Sequence, residues 1–181
     1  MASLKKLLHL VWTWILAFIG KKTVYIHNIP NLVQVKPGLW RSGQVTNIDD
    51  WKYLKELGVN RVVKLNFESE GSDDGARAIG LDVRVLSIQP EGDKDIVSNF
   101  ADTFVKPDPV RVAQADSIIL QLDGVLVHCT HGQDRTGYLV GRHQVLSGTL
   151  SKDAAYEEML EHGFHPELMG LSESWADFEV P

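Results

Sequence analysis

The run His128-Cys129-Thr130-His131-Gly132-Gln133-Asp134-Arg135-Thr136-Gly137 gathers a thiol, two imidazoles, a carboxylate and a guanidinium. It follows Val125-Leu126-Val127, an apolar run typical of a strand buried on both faces. It precedes Tyr138–Leu146, which reads as a helix. A strand that feeds a loop entering a helix leaves several backbone N–H groups facing one concavity. The positive end of the helix dipole lies there too, so the concavity suits an oxyanion. Thr130, His131, Gly132 and Gln133 would line it, and Arg135 would close over it with a planar fork that matches two phosphate oxygens. The same field acts on Cys129. A free thiol titrates at about pH 8.5, and a helix N-terminus beside cations lowers that value, so a thiolate is expected at neutral pH. Thiolate and phosphate cradle together suggest in-line attack on phosphorus and a phosphocysteine intermediate. Thr136 is expected to hydrogen-bond the sulfur and help it leave. His128 is expected to orient the loop by hydrogen bonding rather than to act as a base.

Several elements must position this loop. Leu32–Val35 reads as a strand ending at the Pro37-Gly38 turn, with Val24–Ile26 a short strand before it. Asn47 caps a helix over Ile48–Leu57, whose Trp51, Leu54 and Leu57 make one apolar stripe, and Gly58 fits its C′ position. Arg61–Phe67 and Val83–Ile88 read as strands, with a short helix at Ala76–Ile79 between them. Asp108-Pro109 is an N-cap followed by proline at the first helical position, opening Val110–Leu122. Ser151 caps a last helix over Ala154–Glu161. This order implies an α/β fold with a central, partly parallel sheet flanked by helices.

Composition bounds the rest. The chain has 181 residues, 18 Lys+Arg and 24 Asp+Glu, for a net charge of −6. That balance gives no global field for nucleic acid, and an anionic substrate needs a locally positive pocket. One cysteine excludes an intrachain disulfide and metal sites built from several thiolates. Residues 1–22 differ from the rest. Lys5 and Lys6 precede an apolar stretch, Leu7–Ile19, that is closed by Gly20, Lys21 and Lys22. This is the layout of an export signal, yet it is shorter than the ~17–25 residues of a spanning helix and lacks a clear cleavage site. Residues 4–20 are therefore read as a signal peptide, a membrane anchor or a helix packed on the domain. Export or membrane association is favoured, and 23–181 is read as one domain.

Cys-x5-Arg followed by Thr-Gly and preceded by His resembles the signature loop of the protein tyrosine phosphatase superfamily. The nearest likeness is to its small dual-specificity and phytase-like bacterial branch. Leu39-Trp40-Arg41-Ser42-Gly43-Gln44, Leu57-Gly58-Val59 and the tail Ala155–Gly163 resemble their counterparts there, so residues 30–165 are covered. The resemblance implies a four- or five-stranded sheet and phosphomonoester hydrolysis with no metal or other cofactor. Cys129 would be the nucleophile and Arg135 the phosphate clamp. A phosphate-binding module without turnover, or redox work through Cys129, are alternatives of other classes. The complete Cys129, Arg135 and Thr136 set argues against the first, and the missing second thiol against the other.

The leaving group needs a proton, and a carboxylic acid on a neighbouring loop is the usual source. Asp102 is the foremost candidate, 129 − 102 = 27 positions before Cys129, in a setting that resembles the acid loop of phytase-like tyrosine phosphatases. Asp93 and Asp95 are rivals. Asp134 is another, since an Asp-Arg-Thr loop resembles that of phosphoinositide phosphatases of the myotubularin and Sac types. Lys64, Lys106, His131, Arg142 and His143 are the cations that an open site would use on a substrate with several phosphates. Together with the resemblance of the Asp102 loop and of Asp134, they favour an inositol polyphosphate or a phosphoinositide headgroup over a phosphoprotein, with dual-specificity action on Tyr, Ser and Thr phosphates as the alternative.

Overall fold

A computed structural model describes residues 28–89 and 104–179. The strand expected at Val24–Ile26, the apolar segment 4–20, and Asp93, Asp95 and Asp102 lie outside the described residues.

Strand β1 (Val33–Lys36) turns at Pro37-Gly38 into β2 (Leu39–Ser42). Helix α1 (Ile48–Glu56) follows, with the Asn47 side chain accepting the Asp49 N–H at 2.9 Å. Then come β3 (Arg61–Lys64), a 3₁₀ turn at Glu68–Glu70, α2 (Asp74–Ala78) and β4 (Asp82–Val85). Helix α3 (Pro109–Gln121) has Asp108 as its N-cap and Pro109 in its first turn. The chain continues through β5 (Val125–His128), α4 (Asp134–Leu146), α5 (Lys152–Glu161, capped by Ser151) and α6 (Met169–Ala176).

The strands form one sheet in the order β1-β2-β5-β3-β4. Only β1 and β2 pair antiparallel; the other pairings are parallel. Central β5 is buried throughout, as its apolar run requires. Val125 and Val127 face one core with Val63, Ile119 and Leu139, while Leu126 faces another with Trp51, Leu54 and Val62. Helices therefore cover both sides of the sheet, and each fully buried Val or Leu contributes about 1.5–3 kcal/mol. The parallel strands all end at one rim, where Ser42 and Lys64 each align with His128. Their starts lie at the opposite rim, where Gly38, Gly58, Gly80 and Gly124 precede β2, β3, β4 and β5.

Strands β3 and β4 end at Lys64 and Val85, short of the expected Phe67 and Ile88, and two elements were not expected at all. Leu39–Ser42 is a strand although its pattern is not apolar, because its backbone pairs with both β1 and β5 and buries Arg41 and Ser42. Helix α6 was not expected. Its Trp175 stacks on Tyr156 of α5 and meets Tyr138 of α4 edge-on, so tertiary aromatic packing holds it.

Candidate active site

The loop after β5 is tied to the scaffold by its carbonyls. Gln44 N–H donates to Thr130 O at 2.9 Å, Asn31 Nδ2 to His131 O at 2.8 Å, and Arg41 Nη2 to Gly132 O at 2.8 Å. In a trans peptide the N–H points opposite to its C=O. Three successive carbonyls turned into the scaffold therefore turn the N–H groups of His131, Gly132 and Gln133 to the other side. One of these is seen at work: Gly132 N–H donates to Cys129 Sγ at 3.3 Å. Gly132 has φ +76°, and a Cβ on it would fall 2.5 Å from the backbone of Ser42 and Gly43. Only glycine fits that approach. The Arg41-Ser42-Gly43-Gln44 segment is thus the bed of the loop, which gives that motif its physical reason.

Arg41 is 1% exposed and sits beneath the loop. Burial pushes its guanidinium below the ordinary arginine value, while the nearby Cys129 and Glu158 charges push the other way. Arg135 is held from two sides. Its Nε donates to Gln89 Oε1 at 3.1 Å, and its Nη1 to both Glu70 oxygens at 2.9 and 3.0 Å. Glu70 also accepts from the Thr130 hydroxyl at 2.7 Å. Burial alone would raise the Glu70 carboxyl, but the Arg135 charge and these hydrogen bonds outweigh it and hold it below the ordinary carboxylate value. Glu70 and Gln89 thereby fix the clamp to the rim of the cradle.

Several expected site residues are placed elsewhere. Lys64 does not face substrate. It is fully buried, with Nζ donating to Gln44 Oε1 at 2.8 Å and Gly71 O at 2.7 Å, because Asp73, 3.8 Å away, compensates its charge inside the fold. Lys106 pairs with Asp177 at 2.9 Å and Glu173 at 3.4 Å, beside α6. Arg142 pairs with Asp116 at 2.7 Å. His143 is buried and uncharged, its pKa lowered to about 4 by desolvation and by the Lys36 charge. The Thr136 hydroxyl is buried without a hydrogen-bond partner among the described residues, so the expected bond to sulfur is not made. Asp134 Oδ1 accepts from the His165 backbone N–H at 2.8 Å and its Nδ1 at 2.9 Å, which ties the loop before α6 to the start of α4. That carboxylate is therefore engaged rather than poised to donate a proton. His131 is exposed at the rim, and Gln133 O accepts Gly137 N–H at 2.7 Å in the first turn of α4.

Sequence reasoning missed Glu70, Gln89 and Asp73, which lie in a single 3₁₀ turn and in loops, with no period to mark them. Arg41 carried a signal, since it sits in the quoted motif before Gly43. Among the described residues no group of three or more His, Cys, Asp or Glu side chains could hold a metal ion.

Residues 29–158 match the family model described as the tyrosine phosphatase family. The chain belongs to that family. The dual-specificity protein phosphatase TpbA of Pseudomonas aeruginosa is 31% identical over 143 residues, which cover 76% of this chain and 56% of TpbA. The chain thus spans about half the length of the curated relative that it matches. The crystal structure of TpbA matches with a TM-score of 0.59 at 24% identity, over 83% of this chain and 86% of that one. The core catalytic domain of the PP-IP phosphatase Siw14 from S. cerevisiae matches with a TM-score of 0.62 at 18% identity, over 80% and 85%. The family's α/β fold, with its five-stranded, mostly parallel sheet, is the one expected from the signature loop.

Proposed function

We propose that this family member hydrolyses phosphomonoesters through a phosphocysteine on Cys129. The observation that carries this reading is the Cys129 sulfur on an amide-lined loop, with Arg135 fixed at its rim. The sulfur attacks phosphorus, a P–S bond forms and the ester P–O bond breaks. The departing oxygen takes a proton from a carboxylic acid. Water then attacks phosphorus and gives a proton back to that carboxylate, the P–S bond breaks, and inorganic phosphate leaves with the thiolate and the acid both restored. With Asp134 held by His165, Asp102 is the acid we assign. Replacing Cys129 by Ser abolishes turnover of p-nitrophenyl phosphate; retained turnover refutes the nucleophile. Asp102→Asn lowers kcat by about 10²–10⁴-fold with alkyl phosphates and far less with p-nitrophenyl phosphate. Equal losses with both point to another acid.

For substrate, the reading best supported is dual-specificity action on phosphorylated Tyr, Ser and Thr side chains. Four of the cations expected to grip further phosphates are buried or paired elsewhere, and a carboxylate, Glu70, stands at the rim. TpbA, the curated relative, carries that activity in its name. An inositol phosphate or phosphoinositide headgroup is the second reading. It is favoured by His131 and His165 at the rim, the latter raised above the ordinary histidine value by its hydrogen bond to Asp134, and by the name of Siw14. Comparing kcat/KM for phosphotyrosine and phosphothreonine peptides, inositol hexakisphosphate and phosphoinositides decides between them. A hundredfold preference for the inositol compounds (about 2.7 kcal/mol) overturns the first reading.

A further inference from the structure

Strand β4 closes one side of the sheet and pairs with β3 alone among the described residues. The strand at the other side, β1, is broken by a register shift between Gln34 and Lys36, a device that blunts an edge. Strand β4 is regular. Its bonds to β3 come from alternate residues: Asp82 N–H donates to Asn60 O at 3.1 Å, and Leu86 N–H to Lys64 O at 2.8 Å. In a trans peptide the C=O points away from the N–H that follows it, so the Leu81 and Val85 carbonyls face outward. By the same alternation Arg84 turns its backbone groups to β3, and Val83 and Val85 present theirs at the open edge.

Charges on an edge strand ordinarily repel a second strand. Here they are arranged otherwise. Asp82 and Arg84 flank Val83, and both lie with Leu86 on the face that α3 covers. A two-fold axis through Val83, normal to the sheet, sets two copies antiparallel. The two Val83 residues then exchange N–H···O bonds, and Val85 N–H meets the Leu81 carbonyl of the second copy. The same register puts Asp82 of each copy opposite Arg84 of the other, at the closely spaced sites where Cα atoms are about 4.5 Å apart. An axis at Asp82 or at Arg84 sets like charge against like, and an axis at Val85 leaves both charges unmatched. Within its own chain Asp82 lies 3.0 Å from Arg84 and 3.6 Å from Arg61. These are exposed pairs, worth little, so turning Asp82 and Arg84 toward a second copy costs little. Between β4 and α3 runs an open groove of about 1000 Å³, lined in part by Leu86, Val110, Ala113, Ile118 and Leu122. Val110 is 64% exposed and Leu122 38%. Under the axis through Val83 the two grooves lie on one face of the joined sheet, which adds apolar burial to a short ladder.

We propose that β4 is the seam of a two-fold dimer, in which two five-stranded sheets join about Val83. The occupant of the edge is a second copy because Asp82-Val83-Arg84 is complementary in charge to its own reverse, which a two-fold interface demands. Sedimentation equilibrium of the full-length protein, in density-matched detergent if residues 4–20 require it, reads the mass. Wild type is expected at twice the chain mass. Arg84→Asp leaves carboxylates facing one another at both pairs, and Asp82→Arg leaves guanidiniums. Each raises the dimer Kd about 10–100-fold. The double variant exchanges the two charges and restores the dimer. An equimolar mixture of the two single variants also restores it, because every carboxylate of one then meets a guanidinium of the other. Far-UV circular dichroism shows that each variant is folded. Amide exchange of the wild type needs no substitution: Val83 N–H is protected at concentrations where the dimer forms and exchanges faster on dilution. A monomeric wild type, a dimer that persists in both single variants, a mixture that stays monomeric, or an unprotected Val83 N–H in the dimer overturns the proposal.

Discussion

Arg135 is held by Glu70 and Gln89, and the quality of that engagement sets how well the clamp is aimed. Glu70→Gln keeps the shape but replaces a charge-assisted pair with weaker neutral bonds. We expect kcat to fall about tenfold, or ~1.4 kcal/mol, while inorganic phosphate inhibits no less well, since a rim charge has gone. Steady-state kinetics on an aryl phosphate checks both. The pair also has a pH signature. The folded Glu70 value lies below the ordinary carboxylate value. Its stabilisation is therefore complete above about pH 4.3 and lost as pH falls through the depressed folded value. His165 has the opposite sign, because Asp134 raises it. Its contribution is complete below about pH 6.5 and lost as pH rises through the raised value. Wild type and His165→Asn should differ in Tm at pH 6 and converge by pH 9. Legibility at this scale divided by chemistry. The signature residues announced themselves by spacing, whereas Lys64 read as a surface cation because its partners, Gln44 and Asp73, are remote in sequence and in no periodic segment.

At the level of elements, caps and apolar stripes were readable because their physics is local. Asn47, Asp108 and Ser151 each accept backbone N–H groups at the helix starts where the sequence placed them. Ser151→Ala should cost about 1 kcal/mol, a Tm loss of roughly 2–4 °C for a chain of this size. Its kcat/KM should stay unchanged, because α5 begins far from the loop that its end approaches. Strand β2 and helix α6 were not readable, since pairing with β5 and the aromatic stack around Trp175 come from distant residues. The loop's bed is likewise tertiary. Gly132→Ala would force a side chain against Ser42 and Gly43 at a positive φ. We expect loss of turnover and at least about 1–3 kcal/mol of stability, measured by urea unfolding.

Across the molecule, the sheet brings residues 41, 70, 89, 129 and 135 to one edge, a convergence that only the strand order could disclose. Among the described residues no helix is long and apolar enough to cross a membrane. The amino-terminal pattern of two lysines before Leu7–Ile19 leads us to expect that the full-length chain fractionates with membranes or is exported. A chain starting at residue 23 should not, and equal partitioning of the two would refute the expectation. The division of labour between the two rims has a practical corollary. Chemistry occupies the finishing ends of the parallel strands, so the starting ends are free for the engineer. At Gly80, on that far side, a Cβ would meet nothing within 4 Å. A fluorescent reporter spliced in there should leave the enzyme's catalytic constants intact, whereas the same graft beside Gly43 would silence it.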